Sequence, residues 1–280
     1  MKILILGSQG TLGQVLLSEF NNNGNETVGW DREDVDITTV EVESKIIELK
    51  PDVILNATAY NAVDPMQIDE EARKVGFLMN AEVPGKLAKI AKEIDATFVH
   101  YSTDYVFDGK KEEGYNEEDT PNPISVYGES KYEGEKNVQK FGEKYYIIRL
   151  CRLFGEKGIS AASKRSFVEI MRGEIEKEEL MVKDEEIACP TYAPDAAKFT
   201  KELIESNSPW GIYHGTNSGS CTWYGWAEEI FKNLGKSPKM IKGCAKDYHN
   251  PAPHPQYSVL LNTKRPLQRS WQEALSEFLN

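Results

Sequence analysis

The sequence predicts an α/β fold whose first half is a doubly wound parallel sheet. Short apolar runs alternate with amphipathic segments of helical length as far as Leu150, which is typical of successive βαβ units. The apolar runs are continuous, as expected for strands that helices cover on both faces. The first run ends in a glycine-rich turn, which is the third observation and the one that bears most directly on function.

The elements of the first half follow from this pattern in chain order. We predict strands over residues 2–6, 27–30, 53–57, 98–102 and 145–150. We predict helices over residues 12–20, 40–49, 70–94 and 130–141, with an interruption of the third at Pro84-Gly85.

Three glycines stand between the first predicted strand and the first predicted helix. In Gly7-x-x-Gly10-x-x-Gly13 the turn lets backbone N–H groups approach a pyrophosphate, and the helix N-terminus favours that anion. A Rossmann-type dinucleotide site is therefore predicted, and the alternative is a tight turn in a cofactor-free α/β protein. The candidate cofactor residues of the turn are Gly7, Gly10, Thr11, Leu12 and Gly13.

The regular alternation stops after Cys151. We predict a loop over 155–164, helices over 167–178, 193–205, 223–234 and 270–279, a strand over 210–214 and irregular chain over 250–255, which holds three prolines. Residues 1–150, with part of 183–205 added, are expected to form the Rossmann domain. Residues 151–280 are expected to form mainly a smaller, mixed substrate lobe across the carboxyl ends of the strands, where open α/β sheets bind ligands.

Composition excludes several classes of function. The chain has 280 residues and a net charge of −12, so a nucleic-acid polymer would be repelled. No apolar stretch is long enough for a membrane span. The four cysteines form no CxxC pair and no histidine shows metal spacing, so we predict no metal site and a cytoplasmic protein with reduced thiols.

Further candidates for cofactor contact follow the second and third strands. Asp31 could accept hydrogen bonds from the ribose of NAD, whereas Arg32 could pair with the 2′-phosphate of NADP, so the choice stays open. Asp36 and Ile37 could meet the adenine, although Arg32 and Asp36 could equally be solvated surface charges. A group of small residues, Ala57, Thr58 and Ala59, would let the backbone approach the dinucleotide, or would simply form a turn.

Tyr127 and Lys131 are the candidate catalytic pair. Residues four apart share one helix face, so the phenol and the ammonium can point into one site. We expect the cation to lower the tyrosine pKa, as suits a group that exchanges a proton with a carbonyl, and Lys131 to bind the nicotinamide ribose. Thr103, after the fourth strand, could orient the carbonyl. The alternatives are an exposed helix lysine and a threonine that bonds its own turn, and His100 is expected to be a core residue.

Taken together, these motifs resemble the dTDP-4-dehydrorhamnose reductases, which are extended short-chain dehydrogenases. The resemblance is carried by the glycine turn and by residues 56–60, 62–64, 99–107 and 127–131. It implies that NADPH or NADH reduces the 4-keto group of a nucleotide-linked 6-deoxysugar, giving dTDP-L-rhamnose or a related sugar nucleotide. It implies the roles of Thr103, Tyr127 and Lys131 given above, and it places Ser102, Asp104 and Tyr105 beside the sugar.

The second half departs from the family pattern at three positions. Arg152 stands where the family usually has a tryptophan, Ala188 lies in an altered Asp-Gln-x-Gly-x-Pro-Thr segment, and His254 replaces the arginine of an Arg-Pro pair. Arg152 could bind a phosphate or carboxylate of the substrate, or form a surface ion pair.

Two other functions remain open alternatives on the same scaffold. One is sugar-nucleotide epimerisation, and the other is a non-catalytic regulatory subunit like that of methionine adenosyltransferase, which resembles the same reductases. A homodimer is also left open. Some relatives use a magnesium-assisted dimer contact, for which this sequence shows no ligand cluster.

Overall fold

The structure is a computed structural model that describes residues 1–21, 24–161 and 163–280. The strands are β1 (Lys2–Leu6), β2 (Glu26–Trp30), β3 (Val53–Asn56), β4 (Thr97–Thr103), β5 (Tyr145–Leu150), β6 (Leu153–Phe154), β7 (Glu179–Lys183), β8 (Ile187–Ala188), β9 (Thr191–Tyr192), β10 (Gly211–His214), β11 (Cys221–Thr222) and β12 (Lys239–Gly243). The α-helices are α1 (Thr11–Asn21), α2 (Glu41–Leu49), α3 (Val63–Ile68), α4 (Glu70–Phe77), α5 (Val83–Glu93), α6 (Val126–Phe141), α7 (Phe167–Gly173), α8 (Ala193–Glu205), α9 (Trp223–Asn233) and α10 (Trp271–Leu279).

One parallel sheet organises the part of the chain that the structure describes. It has six strands in the order β10-β5-β4-β3-β1-β2. Because β2 and β3 flank β1 on opposite sides, the winding reverses there and opens a crevice at the carboxyl ends of the strands. The predicted doubly wound, Rossmann-like α/β fold is confirmed.

Helices cover both faces of this sheet. Apolar residues of α1 and α8, among them Phe20 and Phe199, pack on one face, and residues of α2, α5 and α6, among them Ile46 and Leu87, pack on the other. Helix α8 and strand β10 come from the second half of the chain but belong to this core. The boundaries of the two domains stay a prediction.

A smaller lobe holds a second apolar core around Trp226, to which α7, α9 and α10 contribute. The helix predicted over 167–178 is too long, because α7 ends at Gly173. Glu174 and Glu178 would be like charges four residues apart on a longer helix, which is unfavourable. Strand β7 follows instead and pairs in parallel with β12, and neither of these two strands was predicted.

The interruption predicted at Pro84-Gly85 is also wrong. The chain stays helical there, and the irregular part is a π-helical turn over Leu78–Glu82, just upstream. Pro84 then lies in the first turn of α5, directly after the π-helical turn. Because proline has no N–H to donate, the wider π-helical turn accommodates it without ending the helix. The π-helical turn carries Asn80, a fully buried side chain that helps to build the site described next.

Candidate active site

The glycine-rich turn follows β1 directly and has the geometry of an anion cradle. Gly7 has a φ of +77°, and a side chain at Gly13 would put its Cβ 2.0 Å from the Gly7 carbonyl oxygen. Only glycine therefore lets α1 start so close to the turn. Helix α1 begins at Thr11, and the N–H groups of its first turn have no acceptor within the helix. This arrangement fits the diphosphate of a dinucleotide.

The other candidate cofactor segments lie beside this turn along one edge of the sheet. Asp31 follows β2, Gly7 follows β1, Ala57 follows β3 and Thr103 ends β4, and these four strands are neighbours in that order. Neighbouring strands are about 4.8 Å apart, so the four segments span roughly 15 Å. Adenosine beside Asp31, diphosphate beside Gly7 and nicotinamide beside Thr103 would follow the same order.

The segment after β3 supports the turn at close range. A Cβ on Gly7 would lie 3.1 Å from Thr58 Cγ2 and 3.2 Å from the Ala57 oxygen. The Thr58 hydroxyl and N–H both donate to Asn56 Oδ1, at 2.6 and 3.2 Å. The side chains of Ala57 and Ala59 add little bulk at this edge, and contact of this segment with a dinucleotide stays a prediction.

The acidic and basic residues after β2 have distinct surroundings. Asp31 Oδ2 accepts a hydrogen bond from the Gln9 N–H at 3.1 Å, so its carboxylate also fixes the glycine turn, a role that sequence analysis missed. Asp36 accepts the Thr38 hydroxyl at 2.7 Å, and this hydrogen bond is the main cause that lowers its pKa. The Arg32 guanidinium donates no hydrogen bond to a described residue, and Ile37 packs partly buried against the sheet core.

Part of the loop predicted over 155–164 lies directly on the glycine turn. The Ser160 N–H donates to the Gln9 carbonyl at 3.1 Å, and the Gly158 N–H donates to Thr11 Oγ1 at 3.3 Å. A Cβ on Gly158 would lie 2.5 Å from the Gln9 oxygen. The second half of the chain therefore contacts the cofactor turn, which the irregular sequence of this loop did not reveal.

Tyr127 lies in the first turn of α6, which begins four residues earlier than predicted because Ser125 caps it. The Tyr127 hydroxyl donates to Asn61 Oδ1 at 3.3 Å, and the side chain of Thr103 lies nearby. Burial raises the pKa of Tyr127, and the neighbouring Thr103 only opposes this rise. The predicted lowering of this pKa by Lys131 is therefore wrong for the protein alone, and the phenol stays protonated at neutral pH.

Lys131 is buried four residues further along the same helix. Its ammonium donates to the Tyr101 carbonyl at 2.7 Å, and its residue is only 2% exposed. Burial lowers its pKa to about 8, although the charge of Glu135 acts in the opposite direction. The alternative of an exposed helix lysine is thus excluded. Lys131 is a buried lysine with a lowered pKa, and its role in holding the nicotinamide ribose stays a prediction.

We expect Lys131→Met to stabilise the cofactor-free protein while it impairs cofactor binding. A lysine whose pKa falls from 10.5 to about 8 costs roughly 3 kcal/mol of folding stability at neutral pH, part of which the lost bond to Tyr101 offsets. Between pH 8 and 10.5 the folded state binds fewer protons than the unfolded state, so the wild type gains stability with rising pH. Thermal unfolding should show the advantage of the variant shrinking over that interval.

The matched control is Lys140→Met, which changes an exposed lysine of the same helix. It should leave both stability and cofactor affinity close to those of the wild type. A Lys131→Met protein that melts below the wild type at pH 7 would contradict the assignment of a costly buried charge.

Thr103 connects the pair to a buried carboxyl group. Its hydroxyl donates to Asp104 Oδ1 at 3.0 Å and accepts the Tyr105 N–H at 3.3 Å, so the predicted turn bond is also present. Asp104 Oδ2 accepts the hydroxyl of Ser258 at 2.6 Å and the thiol of Cys151 at 3.1 Å. Burial raises the pKa of Asp104. Its two hydrogen bonds link the end of β4 to the smaller lobe.

Two other predicted substrate residues, Ser102 and Arg152, have surroundings unlike those of Asp104. Ser102 is buried, and its hydroxyl has no hydrogen-bond partner among the described residues. Arg152, with a φ of +46°, donates to the carbonyls of Cys221 and Glu186 at 2.8 and 2.9 Å, and its guanidinium lies 4.0 Å from the centre of the Trp223 ring. It therefore braces the lobe internally and is not a surface ion pair.

Two residues of the site were missed by sequence analysis, and a third, His254, was named only as a departure from the family pattern. Asn61 accepts the Tyr127 hydroxyl. Asn80 bonds both the N–H and the carbonyl of Tyr60 and donates to Ser130 Oγ, which ties the loop after β3 to α6. His254 contacts Tyr105. An amide inside an apolar helix was the one sequence signal available for Asn80, because Asn is unfavourable there without a specific partner.

Metal ligation and membrane insertion find no support in the described residues. No group of three or more His, Cys, Asp and Glu side chains among them could hold a metal ion. No described helix is long and apolar enough to span a bilayer. His100 is fully buried in β4, as predicted, and burial lowers its pKa well below the ordinary value.

Comparison with known proteins identifies the family of this chain. The family model "RmlD substrate binding domain" matches residues 1–280. The spore coat polysaccharide biosynthesis protein SpsK of Bacillus subtilis is 34% identical, over 99% of this chain and 96% of its own. A probable dTDP-4,6-dihydroxy-2-methyloxan-3-one 4-ketoreductase of Streptomyces antibioticus is 34% identical, over 99% of this chain and 94% of its own.

A solved structure is similar to this chain over almost its whole length. The dTDP-4-dehydrorhamnose reductase of Bacillus anthracis, crystallised in complex with NADP, superposes with a TM-score of 0.92 at 32% identity, covering 99% of this chain and 98% of that one. The fold and the site together define an NAD(P)-dependent oxidoreductase of the extended short-chain type. The chain belongs to the dTDP-4-dehydrorhamnose reductase (RmlD) family.

Proposed function

We propose that this enzyme reduces the 4-keto group of a dTDP-linked 6-deoxysugar, giving dTDP-L-rhamnose or a related sugar nucleotide. One observation carries the proposal: Thr103 ends β4 and lies close enough to the Tyr127 phenol to influence its pKa, and Lys131 is buried on the helix that carries Tyr127. Two hydroxyls and an ammonium grouped around the end of β4 suit a carbonyl that receives a hydride and a proton.

Each residue of this group has a separate task. A nicotinamide cofactor, when bound, supplies the hydride. Tyr127 donates the proton to the carbonyl oxygen, and its raised pKa keeps it in the protonated form that this task needs. Thr103 orients the carbonyl through its hydroxyl. Lys131 holds the nicotinamide ribose, and Thr11, Leu12 and Gly13 provide N–H groups for the diphosphate.

The sugar is proposed from chemistry and from relatives together. The Streptomyces relative is described as a probable 4-ketoreductase of a dTDP-sugar, which favours a 4-keto substrate and a thymidine nucleotide. A thermal-shift panel of NAD(H), NADP(H), dTDP and UDP tests both sites, since a ligand that binds only the folded state raises its stability. Stabilisation by dTDP well above that by UDP is expected, and the reverse order would contradict the nucleotide assignment.

We propose NADPH as the preferred cofactor because of Arg32. Its exposed guanidinium follows β2 and donates no hydrogen bond to a described residue, so it is available for a 2′-phosphate. We expect Arg32→Ala to weaken NADPH binding by about tenfold, the worth of one charge-assisted contact, and to leave NADH binding within about twofold. Cofactor fluorescence titrations measure both affinities.

The control for this variant is Arg172→Ala, which removes an exposed arginine from α7 in the smaller lobe. It should change neither affinity. Equal losses for NADH and NADPH in Arg32→Ala would show that Arg32 does not read the 2′-phosphate.

A further inference from the structure

A hydrogen-bonded chain runs from the smaller lobe into the candidate active site. Glu186 Oε1 lies 3.3 Å from His254 Nδ1, and the same Nδ1 lies 3.2 Å from the Tyr105 hydroxyl. The Tyr105 ring meets the Tyr127 ring edge-on, with centroids 5.6 Å apart and an interplanar angle of 77°. The hydrogen bonds therefore end at Tyr105, and a ring contact joins Tyr105 to Tyr127, the proposed proton donor.

Glu186 is a firmly held, ionised anchor for this chain. Lys183 Nζ donates to its Oε1 at 2.7 Å, and Trp223 Nε1 donates to its Oε2 at 2.8 Å. Burial alone would raise the pKa of Glu186, but hydrogen bonds from His254, Lys183 and Trp223 lower it to about 2. A carboxylate in this state only accepts hydrogen bonds.

The charge of Glu186 decides which nitrogen of His254 carries a proton. Nδ1 faces the carboxylate, so it carries the hydrogen, because a lone pair there would face the oxygen lone pairs at 3.3 Å. The Nδ1–H is then shared between Glu186 and the Tyr105 oxygen. The other nitrogen, Nε2, is buried and has no hydrogen-bond partner in the described part of the chain, so Nδ1 makes the polar contacts of this side chain.

It follows that the Tyr105 oxygen acts as an acceptor toward His254 and keeps its own proton to donate. Burial, and then the charges of Asp104 and Glu186, raise the pKa of Tyr105 well above the ordinary value, so the proton stays in place. The Tyr105 N–H donates to Thr103 Oγ1. Tyr105 is therefore fixed at its backbone by the hydroxyl of Thr103 and at its ring by the ring of Tyr127.

We propose that Glu186 and His254 are positioning residues that hold the Tyr105 hydroxyl as a hydrogen-bond donor to the sugar of the substrate, beside the carbonyl that Tyr127 protonates. This inference rests on the proposed function. His254 stands where the family pattern has an arginine, which would offer a fork of several N–H donors in place of the single, directed N–H of His254. The pair therefore gives this chain its own way of orienting Tyr105.

The test is a double-mutant cycle on kcat and KM with the dTDP-4-keto-6-deoxysugar and NADPH. Tyr105→Phe and His254→Ala should each lower kcat/KM by about tenfold or more. The kcat/KM of the double variant should lie within about twofold of that of the less active single variant, because both changes remove the same contact. His254→Asn, which keeps an N–H donor near the position of Nδ1, should recover a large part of the loss.

The matched control is His249→Ala, which changes an exposed histidine in the same segment. This variant should behave as wild type.

Binding of the reduced sugar nucleotide, measured by calorimetry, gives a readout that is independent of turnover. Both single variants should lose affinity for it but keep their NADPH affinity and, within a few degrees, their Tm. Losses that multiply in the double variant, or a His254→Ala enzyme within twofold of wild type, would overturn the inference and leave the proposed function intact. An inactive wild type would instead contradict the proposed function, and the inference with it.

Discussion

Tyr127→Phe should reduce kcat by about 10²- to 10⁴-fold, the usual worth of a positioned general acid. The change removes one hydroxyl from a side chain that is 9% exposed, and phenylalanine keeps the ring contact with Tyr105. The fold and the NADPH affinity should therefore stay close to wild type. Steady-state kinetics, a cofactor titration and a melting curve on one preparation separate these three effects.

Tyr132→Phe is the control for the proton donor. Tyr132 lies five residues further along α6, is partly buried and packs against a neighbouring apolar cluster. Its hydroxyl has no part in the proposed chemistry, so kcat should be unchanged. If Tyr127→Phe retained kcat within tenfold of wild type, another group would have to donate the proton.

Glu135→Gln should produce the largest loss of stability of any single change considered. Arg149 Nε and Nη2 donate to Glu135 Oε1 and Oε2 at 2.9 and 2.7 Å, and both side chains are at most 1% exposed. The variant leaves the guanidinium buried without its counter-charge, which costs about 3–5 kcal/mol. For a chain of this size we expect Tm to fall by roughly 10 °C.

Two further variants test whether the buried charge is the cause. Glu133→Gln, two residues earlier on α6, removes an exposed partner of Lys136 and should cost less than about 0.5 kcal/mol. The double replacement Glu135→Leu with Arg149→Leu should recover much of the stability, because no unpaired charge remains. A double variant as unstable as Glu135→Gln would show instead that the shape of the pair, and not its charge, stabilises the core.

The sheet and its glycine turn could be predicted because local sequence determines them. Strands β1 and β5 have the predicted bounds, since apolar runs bounded by polar or glycine residues need no tertiary information. The same holds for Gly13, whose absent side chain allows the close contact with Gly7 that the motif implied.

What could not be predicted depends on contacts between distant parts of the chain. The π-helical turn forms where Asn80 bonds Tyr60, 20 residues away. Arg152 was expected to bind a phosphate or carboxylate or to form a surface ion pair. It forms no surface ion pair with a described residue: it donates to the carbonyls of Cys221 and Glu186, and its guanidinium stacks on Trp223, about 70 residues later. The pKa of Tyr127 was expected to fall next to a cation, and burial, which a motif does not encode, raises it.

Transfer of deuterium from [4,4-²H₂]NADPH, labelled on both faces of the nicotinamide, tests the central claim most directly. We predict that the wild-type enzyme, given a dTDP-4-keto-6-deoxysugar, oxidises one NADPH for each sugar reduced and places one deuterium at C4 of the product, as seen by NMR. A product that carries no deuterium, or a sugar that is epimerised without net oxidation of NADPH, would contradict the account.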